Sequence, residues 1–141
     1  MIWSRNFTVD ELNSDRLNRN MSKHLDIQIE EITDSELKGS MPVDHRTMQP
    51  FDLLHGGASV VLAETLGSIA SNLIVAETGK NAVGLHIEAN HLRSVKTGRV
   101  FGHCQALKIG TKVHVWEIKI YDEKNKMVCA SKLTTAVVER T

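Results

Sequence analysis

The run Gln49-Pro50-Phe51-Asp52-Leu53-Leu54-His55-Gly56-Gly57 leads directly into an apolar stretch whose only charged residue is Glu64. A carboxylate inside a hydrophobic helix is costly unless something satisfies or uses it. A Gly-Gly pair at a helix start offers backbone N–H groups to a developing negative charge. With the amide of Gln49 and the imidazole of His55 alongside, these residue types fit acyl transfer: an oxyanion donor plus a carboxylate. Ser68 lies four residues after Glu64, on the same helical face. Its hydroxyl can hold a water or the carboxylate, and the bland alternative is a Glu–Ser hydrogen bond with no chemistry. His55, at the helix entrance, is read either as a cap or as a group that orients the loop or a carbonyl. No G-x-S-x-G elbow is present, which makes Ser68 a poor nucleophile. No H-E-x-x-H or C-x-x-C spacing appears either, so no metal and no separate cofactor is expected.

The helix also acts as a ruler. Gly56 and Glu64 are eight residues apart, about 12 Å along a helix axis. A reacting carbonyl has to lie about 3 Å from both its oxyanion donor and the attacking group. One rigid helix cannot meet that condition. Either the two residues serve different purposes, or a second copy of the chain supplies one of them. A two-fold dimer with antiparallel helices brings Gly56 of one copy near Glu64 of the other and creates two equal sites.

The elements that must position these groups are legible in outline. Thr8-Val9-Asp10-Glu11 has capping-box spacing, so a short helix is expected to begin there. Leu25, Ile27 and Ile29 alternate with polar residues, as do Leu37, Gly39, Met41 and Val43, which is the period of a strand. Residues 44–55 form a loop, and the long helix is expected to run from Gly56 to near Gly79. Four alternating runs follow, at 82–90, 100–109, 113–121 and 127–138. Their short connections predict an antiparallel meander. The phase slips between Val115 and Trp116, which predicts a bulge. A helix apolar all round requires cover on most sides, and a curved antiparallel sheet supplies it. The class is therefore α+β, one domain over 1–141, with 1–24 a helical segment packed on it.

Composition narrows the function classes. Lys plus Arg and Asp plus Glu balance at 17 each, so no net field draws the chain to nucleic acid or an anionic membrane. Residues 56–76 approach the length of a membrane span, but Glu64, Thr65, Asn72 and three serines interrupt them, and a buried core helix is the better reading. Cys104 and Cys129 both sit in apolar alternating runs and read as buried free thiols. With no apolar leader at the N-terminus, a cytoplasmic protein is expected. The cationic segment His91-Leu92-Arg93-Ser94-Val95-Lys96 closes a strand. It suits a phosphate-bearing tail and equally a solvated turn.

The run Met41-Pro42-Val43-Asp44 to Arg46-Thr47, Gln49-Pro50-Phe51, Leu54-His55-Gly56-Gly57-Ala58-Ser59 and Ala63-Glu64-Thr65, with Asn90-His91, Arg93 and Trp116-Glu117-Ile118, resembles the hotdog-fold acyl-CoA thioesterases. Within them it most resembles the 4-hydroxybenzoyl-CoA thioesterase type. That type includes hydrolases of 1,4-dihydroxy-2-naphthoyl-CoA in menaquinone synthesis and enzymes that clear misloaded aryl groups from a siderophore carrier protein. The resemblance implies a long helix wrapped by an antiparallel sheet, assembled as dimers and usually a homotetramer. It implies that the thioester carbonyl meets the Gly56 N–H. Glu64 from the partner chain would be nucleophile or general base, Ser68 would assist, and Gln49 and His55 would orient substrate, water or loop. Val83-Gly84-Leu85 and His91, Arg93 and Ser94 would contact the coenzyme A arm. The acyl group would meet Phe51, Leu66, Ile69 and Met48. Delivery by an acyl carrier protein instead of coenzyme A stays open. Two departures stand out: Asp52, where glycine is frequent, and Glu88, where asparagine is common. The rival readings are an acyl-CoA-binding module without turnover and a hydratase in which His55 pairs with Glu64.

Overall fold

The computed structural model describes all 141 residues. Two one-turn helices, α1 (Val9–Leu12) and α2 (Met21–His24), precede strands β1 (Gln28–Ile32) and β2 (Glu36–Pro42). The long helix α3 (Gly56–Val75) follows, then β3 (Lys80–His91), β4 (Arg99–Ile109), β5 (Val113–Tyr121) and β6 (Met127–Glu139). All strand pairs are antiparallel, in the order β1-β2-β4-β5-β6-β3. The sheet wraps α3, which packs on β2 through β6. This is the hotdog arrangement.

Several local expectations meet physical corrections. Thr8 caps α1 as its spacing predicts, accepting from Glu11 N–H at 3.1 Å. β1 starts at Gln28 rather than near Leu25, because Asp26 has φ of 52° and turns the chain after α2. Helix α3 ends at Val75, four residues before Gly79, which takes φ of 74° in the following turn. Only β4, β5 and β6 form a meander. β3 sits beyond β6 at the sheet edge, so the chain must pass two intervening strands to reach β4. Three strand spacings are about 14 Å, and the seven residues 92–98 span that easily when extended. The bulge lies in β4, between Ala106 and Lys108, directly opposite Val115 and Trp116. β5 itself alternates without a slip: His114, Trp116, Ile118 and Ile120 all face inward. The sequence pattern breaks there because one of the inward residues is a histidine.

The core is continuous. Leu62, Ala63, Leu66, Ala70 and Leu73 of α3 meet Leu37, Met41, Val100, Ile118 and Leu133 of the sheet. Gly67 is a place of close approach, since a Cβ there would stand 2.5 Å from Leu133 Cδ2. The N-terminal segment joins this core through Leu12 and through Trp3, which stacks on Trp116 with ring centroids 6.4 Å apart. α3 is long and apolar enough to cross a membrane, but over half of its apolar window is buried against the sheet. Cys104 and Cys129 are free and buried, and burial pushes both thiols up from their ordinary range.

A polar cluster holds α3 to the inner face of the sheet. Ser71 Oγ accepts from Trp116 Nε1 at 2.7 Å, pairs with Thr135 Oγ1 at 2.8 Å and meets His114 Nδ1 at 3.1 Å. Burial lowers the His114 pKa below 6.5, against a smaller raising effect from the Gly110 backbone. As pH falls through the unfolded value, the unfolded chain takes up a proton that the folded chain refuses. Stability is therefore fully present above about pH 6.5 and falls below it until the folded pKa is reached. We expect the thermal midpoint to drop between pH 7 and 5.5, and the slope of that drop to shrink in His114→Asn. Equal slopes in both proteins would assign the acid sensitivity elsewhere.

Candidate active site

The loop before α3 is held at several points. Asp44 takes a paired contact from Arg46, Nη2 to Oδ2 at 2.7 Å and Nε to Oδ1 at 3.1 Å, and also accepts from Arg46 N–H. The guanidinium holds the Asp44 carboxyl down at about 2. Thr47 Oγ1 donates to Pro42 O at 2.8 Å, and His55 N–H donates to Thr47 O at 2.8 Å. Further along, Gln49 N–H donates to Leu53 O and Gln49 Oε1 accepts from Phe51 N–H. This tight turn needs Asp52 at φ of 59°, a conformation Asp and Asn adopt more readily than most residues. The substitution of glycine by aspartate is thus accommodated.

His55 is the N-cap of α3. Its Nδ1 accepts from Gly57 N–H at 2.7 Å, which places the ring proton on Nε2. Ala58 and Ser59 donate to the His55 carbonyl. The Gly56 N–H alone in this first turn has no acceptor in the chain. It opens on a cavity of about 380 Å³ that also receives Gln49, Ser59, His91, Arg93 and Ser94. His91 lies directly against it: a Cβ on Gly56 would stand 2.8 Å from His91 Nε2. Gln49 spends its Oε1 on the loop, so its Nε2 protons remain to donate into the cavity.

Glu64 lies two turns further along α3, in a different cavity of about 410 Å³. Thr65, Ser68, Ile69, Asn72 and Leu73 of the helix form one wall; Leu12, Asn13, Leu17, Asn18, Ser22, Ile27 and Ile29 form the other. The Glu64 carboxylate has no hydrogen-bond or ion-pair partner within the chain, and Ser68 makes no bond to it. Its Oε1 occupies the space a side chain at Gly84 would fill. Gly84 pairs with Thr135 and borders an irregularity of β3 that leaves Leu85 unpaired before His86 meets Thr134. A methyl group there would push the carboxylate away.

The two cavities share no residue. One chain thus presents the amide and the acid in separate places, as the helix length requires. The residues expected along coenzyme A divide in the same way: His91, Arg93 and Ser94 lie at the Gly56 cavity, whereas Val83, Gly84 and Leu85 lie on exposed edge strand β3, with Gly84 beside Glu64. Of the expected acyl contacts, Ile69 lines the Glu64 cavity. Leu66 does not: it is fully buried, with its methyl groups pressed against Gly39 and Gly102 under the sheet. Phe51 stands 84% exposed at the loop apex and lines neither cavity. Met48 packs against the core next to its bridge with Leu54. The N-terminal wall of the Glu64 cavity escaped sequence reading. Helices of one turn carry no usable periodicity, and Leu12 and Leu17 have no partners until the chain folds. No three His, Cys, Asp or Glu side chains converge as metal ligands.

Comparison with known proteins decides the family. The family model described as the thioesterase superfamily matches residues 51–129, more than half of the chain. The chain belongs to the thioesterase superfamily. It is 51% identical over 138 residues to the 1,4-dihydroxy-2-naphthoyl-CoA hydrolase of Escherichia coli (strain K12), covering 98% of this chain and 100% of that protein. It is 47% identical over 138 residues to the proofreading thioesterase EntH of Cronobacter turicensis, covering 98% and 99%. A crystal structure of a thioesterase from Haemophilus influenzae superposes with a TM-score of 0.92 at 46% identity, over 99% of this chain and 96% of that one. Thioester hydrolysis is accordingly the reaction class that the cavities of this thioesterase superfamily member have to serve.

Proposed function

We propose that the protein hydrolyses an aryl- or acyl-CoA thioester to the free acid and coenzyme A, at sites each shared between two copies of the chain. The observation that carries this reading is the separation of the unpaired Gly56 N–H from the unpartnered Glu64 carboxylate in two cavities of one chain. Pairing two chains antiparallel along α3 joins one cavity of each. The free edge of β3 supports such pairing, because Val83 is 49% and Leu85 66% exposed there. Open strand edges invite a further strand, and β3 against its counterpart would continue the sheet across a homodimer. Two such dimers would make a homotetramer.

In the joined site the thioester carbonyl accepts from Gly56 N–H, with the Gln49 amide as a second donor. Glu64 of the other copy either attacks the carbonyl, expelling the coenzyme A thiolate and leaving an anhydride that water opens, or takes a proton from an attacking water. Label found in Glu64 after a single turnover in oxygen-18 water would identify the anhydride route with water opening it at the Glu64 carbonyl, because general-base attack puts the label only in the product acid. His55 holds the start of α3 through Gly57, and Ser68 positions water in the Glu64 cavity. His91, Arg93 and Ser94 meet the coenzyme A arm at the cavity mouth. The apolar wall of Ile69, Ile27 and Leu12 takes the acyl group.

The identity with the Escherichia coli hydrolase makes 1,4-dihydroxy-2-naphthoyl-CoA the first substrate to test, which would place the enzyme in menaquinone synthesis. The likeness to EntH supports a second reading, release of aryl groups from a carrier protein. Comparing kcat/KM for aryl-CoA, fatty acyl-CoA and aryl-carrier thioesters distinguishes them. An aryl-CoA preference is expected; a carrier-protein preference would favour the second reading, and no thiol release from any of them would overturn both. Buried free thiols support a cytoplasmic setting.

A further inference from the structure

Asparagine side chains cap both edges of the sheet. At β1, Asn13 exchanges two bonds with the Ile29 backbone, and Asn18 Nδ2 donates to Ile27 O. At β3, Asn72 Nδ2 donates to Ala82 O at 2.9 Å and its Oδ1 accepts from Ala82 N–H at 2.9 Å. A further strand therefore cannot bond at Ala82. Beyond the irregularity at Leu85 the phase of β3 is set by Leu92 N–H, which donates to Val128 O. Successive residues of a strand bond to opposite sides. His86, Glu88 and Asn90 thus bond to β6, while Ile87, Ala89 and His91 turn their N–H and C=O groups to the free edge. The stretch of β3 left open runs from Gly84 to His91.

The two halves of the site decide how a second copy would register on this stretch. Within one chain Glu64 Oε1 rests on Gly84, and the His91 ring rests on Gly56. A shared site needs Glu64 of one copy near Gly56 of the other, which sets Gly84 of one copy across from His91 of the other. In an antiparallel two-fold pair the axis passes midway between such partners, at Ile87 or Glu88. An axis at Ile87 would set His91 against Val83, whose backbone groups are spent on β6. An axis at Glu88 matches open groups to open groups: Ile87 meets Ala89 of the other copy, twice by symmetry, and His91 meets the irregularity at Gly84 and Leu85. An axis at Ala89 also matches open groups, but it carries Gly84 three residues past His91, about 10 Å.

We propose that Glu88 lies on the two-fold axis of the dimer, directly opposite Glu88 of the other copy. This rests on the shared-site reading above. The two carboxylates stand on the outer, exposed face of the sheet. Like charges directly opposite each other destabilise a strand pair. Lys132, which pairs with Glu88 across β6 and lies 4.0 Å from its carboxylate, offsets that repulsion in each copy.

The test is mild oxidation of His86→Cys, Glu88→Cys and Asn90→Cys, read on a non-reducing gel. Cys104 and Cys129 are buried, so each variant offers one exposed thiol. On the axis, position 88 meets itself as a non-hydrogen-bonded pair with Cα atoms about 4.5 Å apart, within disulfide reach. Positions 86 and 90 are each displaced from their own counterparts by four residues, about 13 Å, beyond the limit of about 7 Å. Glu88→Cys is expected to shift to a covalent dimer and to keep its aryl-CoA turnover with and without reductant. The other two single variants should stay unlinked, and the double variant His86→Cys/Asn90→Cys should link, because 86 faces 90. Linking through 86 or 90 alone, or no linking in any of the four, overturns the proposal. Loss of turnover in the locked Glu88→Cys dimer, regained on reduction, also overturns it, since the working register would then be another. A linked Glu88→Cys dimer beside a wild type that hydrolyses no thioester would support the axis and remove the thioesterase reading.

Discussion

Glu64→Gln is expected to lower kcat by about 10³-fold or more while the protein folds normally. The amide can neither attack a carbonyl nor accept a proton from water, and one positioned acid–base group supplies up to about 10⁴-fold. Folding should be spared because the carboxylate has no bonding partner within its chain and lines a cavity rather than the core. Glutamine preserves the shape, so the space left at Gly84 stays filled. KM should change little, since the loss is confined to the transition state. Steady-state kinetics beside a thermal melt checks both halves. Near-normal turnover in the variant would remove Glu64 from the chemistry, and a collapsed melting midpoint would make it structural.

Gly56→Pro isolates the oxyanion donor. Proline is well suited to the first position of a helix, where its missing N–H breaks no helical bond. The preceding His55 already has φ of −70° and ψ of 131°, the extended conformation that a following proline requires. The substitution therefore deletes the one unpaired N–H of the first turn and leaves α3 in place. Losing one such donor costs about 10²- to 10³-fold in kcat. The new carbons would also press on the His91 ring, so Gly56→Ala serves as the control: it adds the Cβ and keeps the N–H. A large loss in the proline variant with a much smaller one in the alanine variant identifies the backbone donor. Equal losses would assign the effect to His91 instead.

The helix and its start were legible because they depend on neighbours in sequence. Capping at Thr8, the left-handed tolerance of Asp52 and the incompatible separation of Gly56 and Glu64 are all local facts. Placement of β3 was not legible, because a period of two says which face a residue takes and nothing about which strand lies beside it. Leu66, expected in the acyl pocket, follows Glu64 by two residues, and two residues along a helix is a rotation of about 200°, which turns it into the core. The helix ruler showed that Gly56 and Glu64 of one chain cannot meet at one carbonyl, and it could not show that Leu12, Leu17 and Asn18 build the opposite wall. Those contacts join residues far apart in the chain, through helices too short to announce a face.

The shared site can be tested by mixing two inactive proteins. Glu64→Ala keeps the Gly56 amide and lacks the acid; Gly56→Pro keeps the acid and lacks the amide. If chains pair at random after denaturation and refolding together, half the dimers are hybrids, and each hybrid holds one complete site and one empty of both groups. About a quarter of wild-type kcat/KM per chain should return. Recovery no greater than the sum of the two separate proteins, with subunit exchange confirmed by mass, would mean that each chain works with its own amide and acid, and would contradict a site built from two.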